Sequence, residues 1–173
     1  MRIREIKLIL VPTDFSTASD RALDVAMDLA RLTGAAMEVL HVNLDAIWVL
    51  PPPVDLVATP VDMTDVLASS AIQLEAVVAR VRGAGISCTG VSQTGRTDAE
   101  IVDYARTHAA GLIVVGSHGR HGLGHALLGS VAEKVVRHAP CPILVVPAAE
   151  GERPRVSSDE ETPIMVPTEG VPA

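Results

Sequence analysis

Short, unbroken apolar runs recur along this chain and alternate with stretches of helical periodicity. Leu8 to Val11 is followed by Pro12, Leu112 to Val115 and Ile143 to Val146 repeat the pattern, and Met37 to Val42, with Glu38 and His41 among its apolar residues, reads as the second strand. A strand that is apolar on both faces is buried on both faces, which points to the interior of a parallel sheet. Between the runs, Ala22, Val25, Ala26 and Leu29 recur at helical spacing, and Gly34 stands where that helix should close. A longer helix is predicted from about Met63 to Arg82, with Val66, Ala71, Leu74, Val77, Val78 and Val81 on one face and Gly83 and Gly85 at its end. Ile86 to Val91 reads as a weaker third strand. Thr97-x-x-Glu100 and Ser130-x-x-Glu133 read as capping boxes that open two further helices, the first running to about His108, and Thr17-x-x-Asp20 resembles them. The order βαβαβαβαβ predicts an α/β fold, a single doubly wound five-stranded parallel sheet of strand order 3-2-1-4-5 with helices on both faces. Ligands of such sheets bind beyond the carboxyl ends of the strands where the winding reverses, here between the first and fourth strands.

Apolar residues make up 48% of the 173, enough for a full core, but only one Phe, one Tyr and one Trp are present. So few stacking platforms, with a net charge of −7, argue against nucleic acid as a partner. The acid is uneven: residues 1–149 carry 12 basic and 15 acidic side chains, residues 150–173 carry 2 and 6. We expect one domain over residues 1–147, interrupted at 43–61 by a loop insertion. Pro51, Pro52, Pro53 and Pro60 bar a regular helix there, and Ile47-Trp48-Val49-Leu50 forms an apolar patch. Residues 148–173 have the polar, Pro-rich composition of a disordered tail. Two cysteines are too few for a disulfide framework, and Cys141, between Pro140 and Pro142, is expected to be a buried structural thiol. The opening Met-Arg-Ile-Arg-Glu-Ile-Lys lacks the apolar core of a secretory signal, and no apolar run reaches the ~18 residues of a membrane span. The expectation is a cytoplasmic protein with no membrane partner.

The fourth apolar run empties into a loop punctuated by glycine: Gly116-Ser-His-Gly119, nine residues, then Gly129-Ser130 and a helix. Glycine admits a close approach of backbone N–H groups, and a helix start adds unpaired donors and a positive dipole end. Together they predict an anion site, phosphate being the usual anion. Arg120, the loop's full cation, is placed at the outer phosphates. Asp14, at the end of the first strand, either accepts from a ligand or caps the helix that follows, and Ser130 has the same two options. His118, His121 and His125 have no neighbouring Cys or carboxylate in sequence to complete a ligand set, and no metal site is assigned. Neither a P-loop lysine motif nor a Gly-x-Gly-x-x-Gly after the first strand is present.

The spacing Gly-x2-Gly-x9-Gly-Ser on strand, loop and helix resembles the nucleotide-binding signature of the universal stress protein family. Val11-Pro12-Thr13-Asp14-Phe15-Ser16 resembles that family's first-strand motif, Leu40-His41-Val42 its second-strand end, and His138 through Val146 its closing strand. The resemblance spans residues from about 6 to 147. It implies an adenine nucleotide alpha hydrolase-like fold and ATP, with Mg2+, as the bound cofactor. By that resemblance Asp14 reaches the adenosine end, with Pro12 and Thr13 lining it, and Val42 and Val115 pack on the adenine. Gly116, Gly119, Gly129, Ser130 and Val131 meet ribose and phosphates, chiefly through backbone N–H groups. The resemblance also implies a homodimer formed through the strand 143–146.

Phosphoryl transfer needs a held metal and a group that positions the nucleophile. No Asp or Glu occurs between Gly116 and Ala132, so no catalytic residue is assigned and any ATP hydrolysis is expected to be very slow. ATP is expected to act in a stress response as a ligand that sets conformation or oligomeric state. The alternative is a nucleotide-independent interaction module that meets an unknown protein partner through the 43–61 insertion and the tail.

Overall fold

The computed structural model describes residues 5–43, 63–117 and 128–147. Its elements are β1 (Leu8–Thr13), α1 (Thr17–Thr33), β2 (Ala36–Asn43), α2 (Met63–Gly83), β3 (Cys88–Thr94), α3 (Thr97–Thr107), β4 (Leu112–Gly116), α4 (Ser130–His138) and β5 (Ile143–Val146). The strands form one parallel sheet in the order β3-β2-β1-β4-β5, the winding that the alternation predicts. The 43–61 insertion beyond Asn43, the glycine-loop residues His118, Gly119, Arg120, His121 and His125, and the 148–173 tail lie outside the described residues.

Side chains alternate across the central strands and so build two cores. Ile9 and Val11 join Ala22, Ala26, Met37, Val39, Val78 and Val81 beneath α1 and α2. Leu10 joins Leu40, Ile101, Tyr104, Ile113 and Val135 beneath α3 and α4. The buried face of α1 carries Ala18, Ala22, Ala26 and Ala30 together with the larger Leu23 and Met27. Gly34 closes α1 in the left-handed region (φ 72°), its N–H donating to the Ala30 carbonyl at 2.8 Å.

Several local expectations shift. The third strand begins at Cys88 rather than Ile86 and runs on through the polar Ser92, Gln93 and Thr94. It lies at the sheet edge, where side chains alternate between core and water and no apolar run is required. On α2 the apolar face is only half used: Leu74, Val78 and Val81 are buried, whereas Val66 is 46% exposed and Ala71 is also exposed. The first turns of that helix stand clear of the sheet. Cys88 is buried, but Cys141 is only half-buried, because it precedes the outermost strand β5. Burial pushes both thiols up, so little reactive thiolate forms.

All three capping signals are displaced by one residue. In α1 the cap is Ser16, whose hydroxyl accepts the Ser19 N–H at 3.3 Å, and Thr17 is already helical. Arg96 and Gly129 hold the cap positions of α3 and α4, and neither helix has a side-chain cap bond. Thr97 and Ser130 are the first helical residues, and neither box forms. The Glu133 amide donates to the Gly129 carbonyl, and its carboxylate pairs with Arg137 one turn on. At the far end of α4, His138 Nδ1 donates to the Lys134 carbonyl at 2.9 Å.

At the amino end of the sheet, β2 carries Glu38 between apolar neighbours. The Tyr104 hydroxyl donates to it, and Tyr104 stacks on His108 with ring centroids 3.8 Å apart. The other carboxylate oxygen, Oε2, is buried and meets no donor among the described residues.

Candidate functional site

The sheet opens at its carboxyl end. Pairing between β1 and β2 runs the whole of β1, from Leu8↔Ala36 to Thr13↔His41. Pairing between β1 and β4 covers only Ile9↔Leu112 and Leu10↔Ile113. Beyond that point Val11–Thr13 pair only outward with β2, and Val114–Gly116 only outward with β5. The cleft falls at the reversal of winding, where the alternation places a ligand.

Five elements meet at this opening. β1 delivers Pro12, buried, and Thr13 and Asp14, half-buried. Val42 lies one residue beyond the last β1–β2 pair. Val115 and Gly116 end β4, and the Gly129 amide donates to the Ser117 carbonyl at 2.7 Å, fastening the start of α4 to the end of β4. Ser130 is exposed and Val131 half-buried. Of the residues singled out in the sequence, these nine are brought to one end of the sheet; Gly119 and Arg120 lie outside the described residues.

The geometry alters what several of them can do. Val42 and Val115 are 8% and 7% exposed and pack into the α3–α4 core, so their side chains present only a rim to the opening. Gly116 must be glycine for a reason internal to the fold: a Cβ there would stand 2.8 Å from the Ala18 carbonyl oxygen of α1. The Gly129 amide is spent on Ser117. Among the described residues, the amides of Ser130, Val131 and Ala132 meet no acceptor at this helix start; they precede the first intrahelical bond, from Glu133 to Gly129.

Across the opening the start of α1 is closed by its own side chains. Asp14 Oδ1 accepts from the Ser16 N–H at 3.1 Å and from the Ser16 hydroxyl at 2.6 Å. Asp14 therefore holds the cap rather than acting as the cap. Ser19 Oγ donates to the Ser16 carbonyl at 2.8 Å and lies 3.1 Å from Thr13 Oγ1, which accepts the Phe15 N–H.

The sequence reading quoted His41 and Phe15 within motifs but gave neither a role. His41 is 9% exposed, and its Nδ1 lies 2.9 Å from the Thr13 carbonyl oxygen. The Phe15 ring rests on it, with centroids 4.5 Å apart. The available signal was a histidine between Leu40 and Val42, next to the strand's carboxyl end.

A second depression, about 660 Å³, lies between α3 and α4. Its charges answer one another: Arg96 and Lys134 both meet Asp98 (3.2 and 3.9 Å), Arg106 meets Asp103 and Arg137 meets Glu133. Among the described residues no three His, Cys, Asp or Glu side chains converge as a metal site would require. No described helix is long and apolar enough to cross a membrane.

The chain is thus a doubly wound α/β protein whose sheet splits at the switch point, with the start of α4 beside the split. The model of the universal stress protein family matches residues 5–147, and the chain belongs to that family. It is 32% identical over 143 residues to universal stress protein YxiE of Bacillus subtilis, covering 80% of this chain and 97% of that one. The solved structure of MJ0577 from Methanocaldococcus jannaschii superposes with a TM-score of 0.71 at 27% identity, over 84% of this chain and 98% of the other. A universal stress protein solved in complex with cAMP has the same fold, with a TM-score of 0.63 at 23% identity over 83% of this chain and 97% of the other.

Proposed function

We propose that this chain binds ATP, carried with Mg2+, in the opening between β1 and β4, and that the nucleotide is a ligand rather than a substrate turned over. One observation carries the reading: the amides of Ser130, Val131 and Ala132 begin α4 without side-chain caps, beside a cleft in the sheet. A phosphate chain supplies the acceptors they lack, and the helix dipole favours its charge. The cAMP complex supports an adenine nucleotide as the ligand class. Pro12, Thr13 and Asp14 then meet the adenosine end, and the rims of Val42 and Val115 meet the base. Gly116 keeps α1 close, Gly119 and Arg120 belong to the phosphate loop, and Gly129, Ser130 and Val131 form its far side. The Mg2+ arrives with the triphosphate, since it is held by few protein ligands and keeps much of its water.

Among the described residues β5 has a neighbour on one side only, and Leu144 is 37% exposed on it. An open apolar strand edge needs cover, and a second copy of β5 supplies it as a homodimer. ATP then works as a stress-response ligand in the cytoplasm, setting conformation or dimer state. A second reading, an interaction module without nucleotide, is favoured by the exposed Val66, Leu67 and Ile72 on α2.

The test is calorimetric titration with ATP, ADP, AMP and cyclic AMP, alongside acid extraction of freshly purified protein. Saturable ATP binding with turnover well below about 1 s⁻¹, the lower end of ordinary enzyme rates, supports the proposal. Absence of binding at millimolar nucleotide leaves the interaction module, and faster turnover makes the chain an enzyme. Light scattering with and without ATP reads the dimer.

A further inference from the structure

We infer that His41 is a positioning residue for the nucleotide site, bracing the Thr13–Asp14–Phe15 turn that presents Asp14; the inference rests on the ATP reading above. β1 leaves the sheet after Thr13, its last residue paired with β2, and the partner in that pair is His41. A carbonyl oxygen cannot donate, so the 2.9 Å contact from His41 Nδ1 to the Thr13 oxygen requires the hydrogen on Nδ1. The bond captures the last carbonyl of β1 just where the ladder ends.

The same ring holds the turn from its other side. Phe15 has φ 61°, in the left-handed region, at a steric cost to any residue with a Cβ. Two contacts offset that cost: the Phe15 amide donates to Thr13 Oγ1 at 3.0 Å, and the Phe15 ring packs on the His41 ring, tilted by 33°. His41 thus grips the chain at Thr13 and at Phe15, and Asp14 lies between the two grips. Because His41 is buried and itself held by β2, the brace is rigid before any ligand arrives. A ligand that meets Asp14 finds the turn already ordered, so less of its interaction energy goes into ordering it.

The arrangement makes a distinction between two amides of nearly equal chemistry. In His41→Asn, Nδ2 falls close to the place of Nδ1 and can still donate to the Thr13 carbonyl. In His41→Gln the donor sits one bond further out, at the place of Nε2, and misses it. His41→Phe keeps a ring against Phe15 but has no donor. Each variant is measured in two ways: calorimetric titration with ATP, and hydrogen exchange of the Phe15 and Ser16 amides without ligand. The expected result is an ATP affinity about tenfold weaker in the Gln and Phe variants and within about threefold of wild type in the Asn variant. Exchange at Phe15 and Ser16 rises about tenfold in the first two and little in the third. Equal affinity in Asn and Gln variants overturns the positioning role. Unchanged exchange in His41→Gln overturns the brace. A wild-type chain that binds no nucleotide overturns the ATP reading instead, while the exchange measurement still decides whether His41 holds the turn.

Discussion

Two helix starts face the same opening in the sheet, and they are finished in opposite ways. α1 begins inside a closed net of side chains: Ser16 caps Ser19, Asp14 holds Ser16, and Thr13 lies within hydrogen-bond reach of Ser19. α4 begins at Gly129 with no side-chain cap among the described residues. A helix start costs stability when its donors are left bare, and a cap restores about 1 kcal/mol. Among the described residues nothing completes the hydrogen bonds of the α4 start, and the proposal gives that part to a phosphate chain. The closed start at α1 marks a rigid wall against which Asp14 is held. On the proposed reading, two similar-looking strand-to-helix turns divide the work between presenting a carboxylate and receiving an anion.

The largest expected effect comes from making the second start resemble the first. Gly129 has φ −58° and ψ 151°, values open to any residue, so Gly129→Asp needs no change of backbone conformation. Its carboxylate would cap the α4 amides and repel phosphate at once. ATP affinity should fall at least about 100-fold while the protein gains about 1 kcal/mol of stability against urea. A variant that is stabilised yet binds ATP as before would break the comparison. Next in size is Gly116→Ala. Its new Cβ meets the Ala18 carbonyl of α1, a backbone atom that cannot turn aside. The expected loss is about 2–3 kcal/mol in chemical denaturation. It should appear with or without nucleotide, because the role of Gly116 is to let α1 approach β4.

That split between the two glycines was not legible in the sequence, where Gly116 and Gly129 read alike as loop glycines that admit a ligand. The fold itself was legible, because a parallel sheet buried on both faces needs the unbroken runs at Leu8–Val11 and Leu112–Val115 that the chain displays. The opening was legible too, since strand order fixes the switch point. Helix starts were misplaced by one residue because Ser or Thr followed three later by an acid occurs equally well with the hydroxyl just inside the helix. Which residue caps is decided by how the chain enters, and Ser16 wins over Thr17 because Asp14 fixes it. The role of His41 was not legible because it depends on the register Thr13↔His41, a pairing between strands that local pattern does not contain.

The amino end of the sheet offers a polar pair far from both helix starts, and it sharpens the comparison as a control. Burial first, and then the bond to Glu38, push the Tyr104 hydroxyl up to about 12 from its ordinary 10.0. A raised pKa means that the unfolded chain loses this proton first. Stability from this group is complete below pH 10, falls as pH rises from 10 towards 12, and levels off beyond. The loss should be on the order of 2 kcal/mol in urea titrations. Tyr104→Phe should be less stable than wild type at pH 8, because Glu38 then loses its donor, and the gap should narrow between pH 10 and 12. ATP affinity at pH 8 should not change, since the pair belongs to the fold and not to the opening.

The smallest effects come from the two serines that the sequence pattern makes look equivalent. Ser16→Ala removes the hydroxyl that accepts the Ser19 amide and one of the two groups that hold Asp14 Oδ1. It should cost about 1 kcal/mol in thermal or chemical unfolding. Ser130→Ala removes a hydroxyl from an exposed first helical residue that makes no cap bond. Its stability should change by no more than a few tenths of a kcal/mol, the ordinary range for surface positions. If Ser130→Ala cost as much as Ser16→Ala, the capping box would exist in solution and the amides of α4 would be answered from within. A phosphate would then have to displace a cap to bind, and the contrast between the two helix starts would disappear.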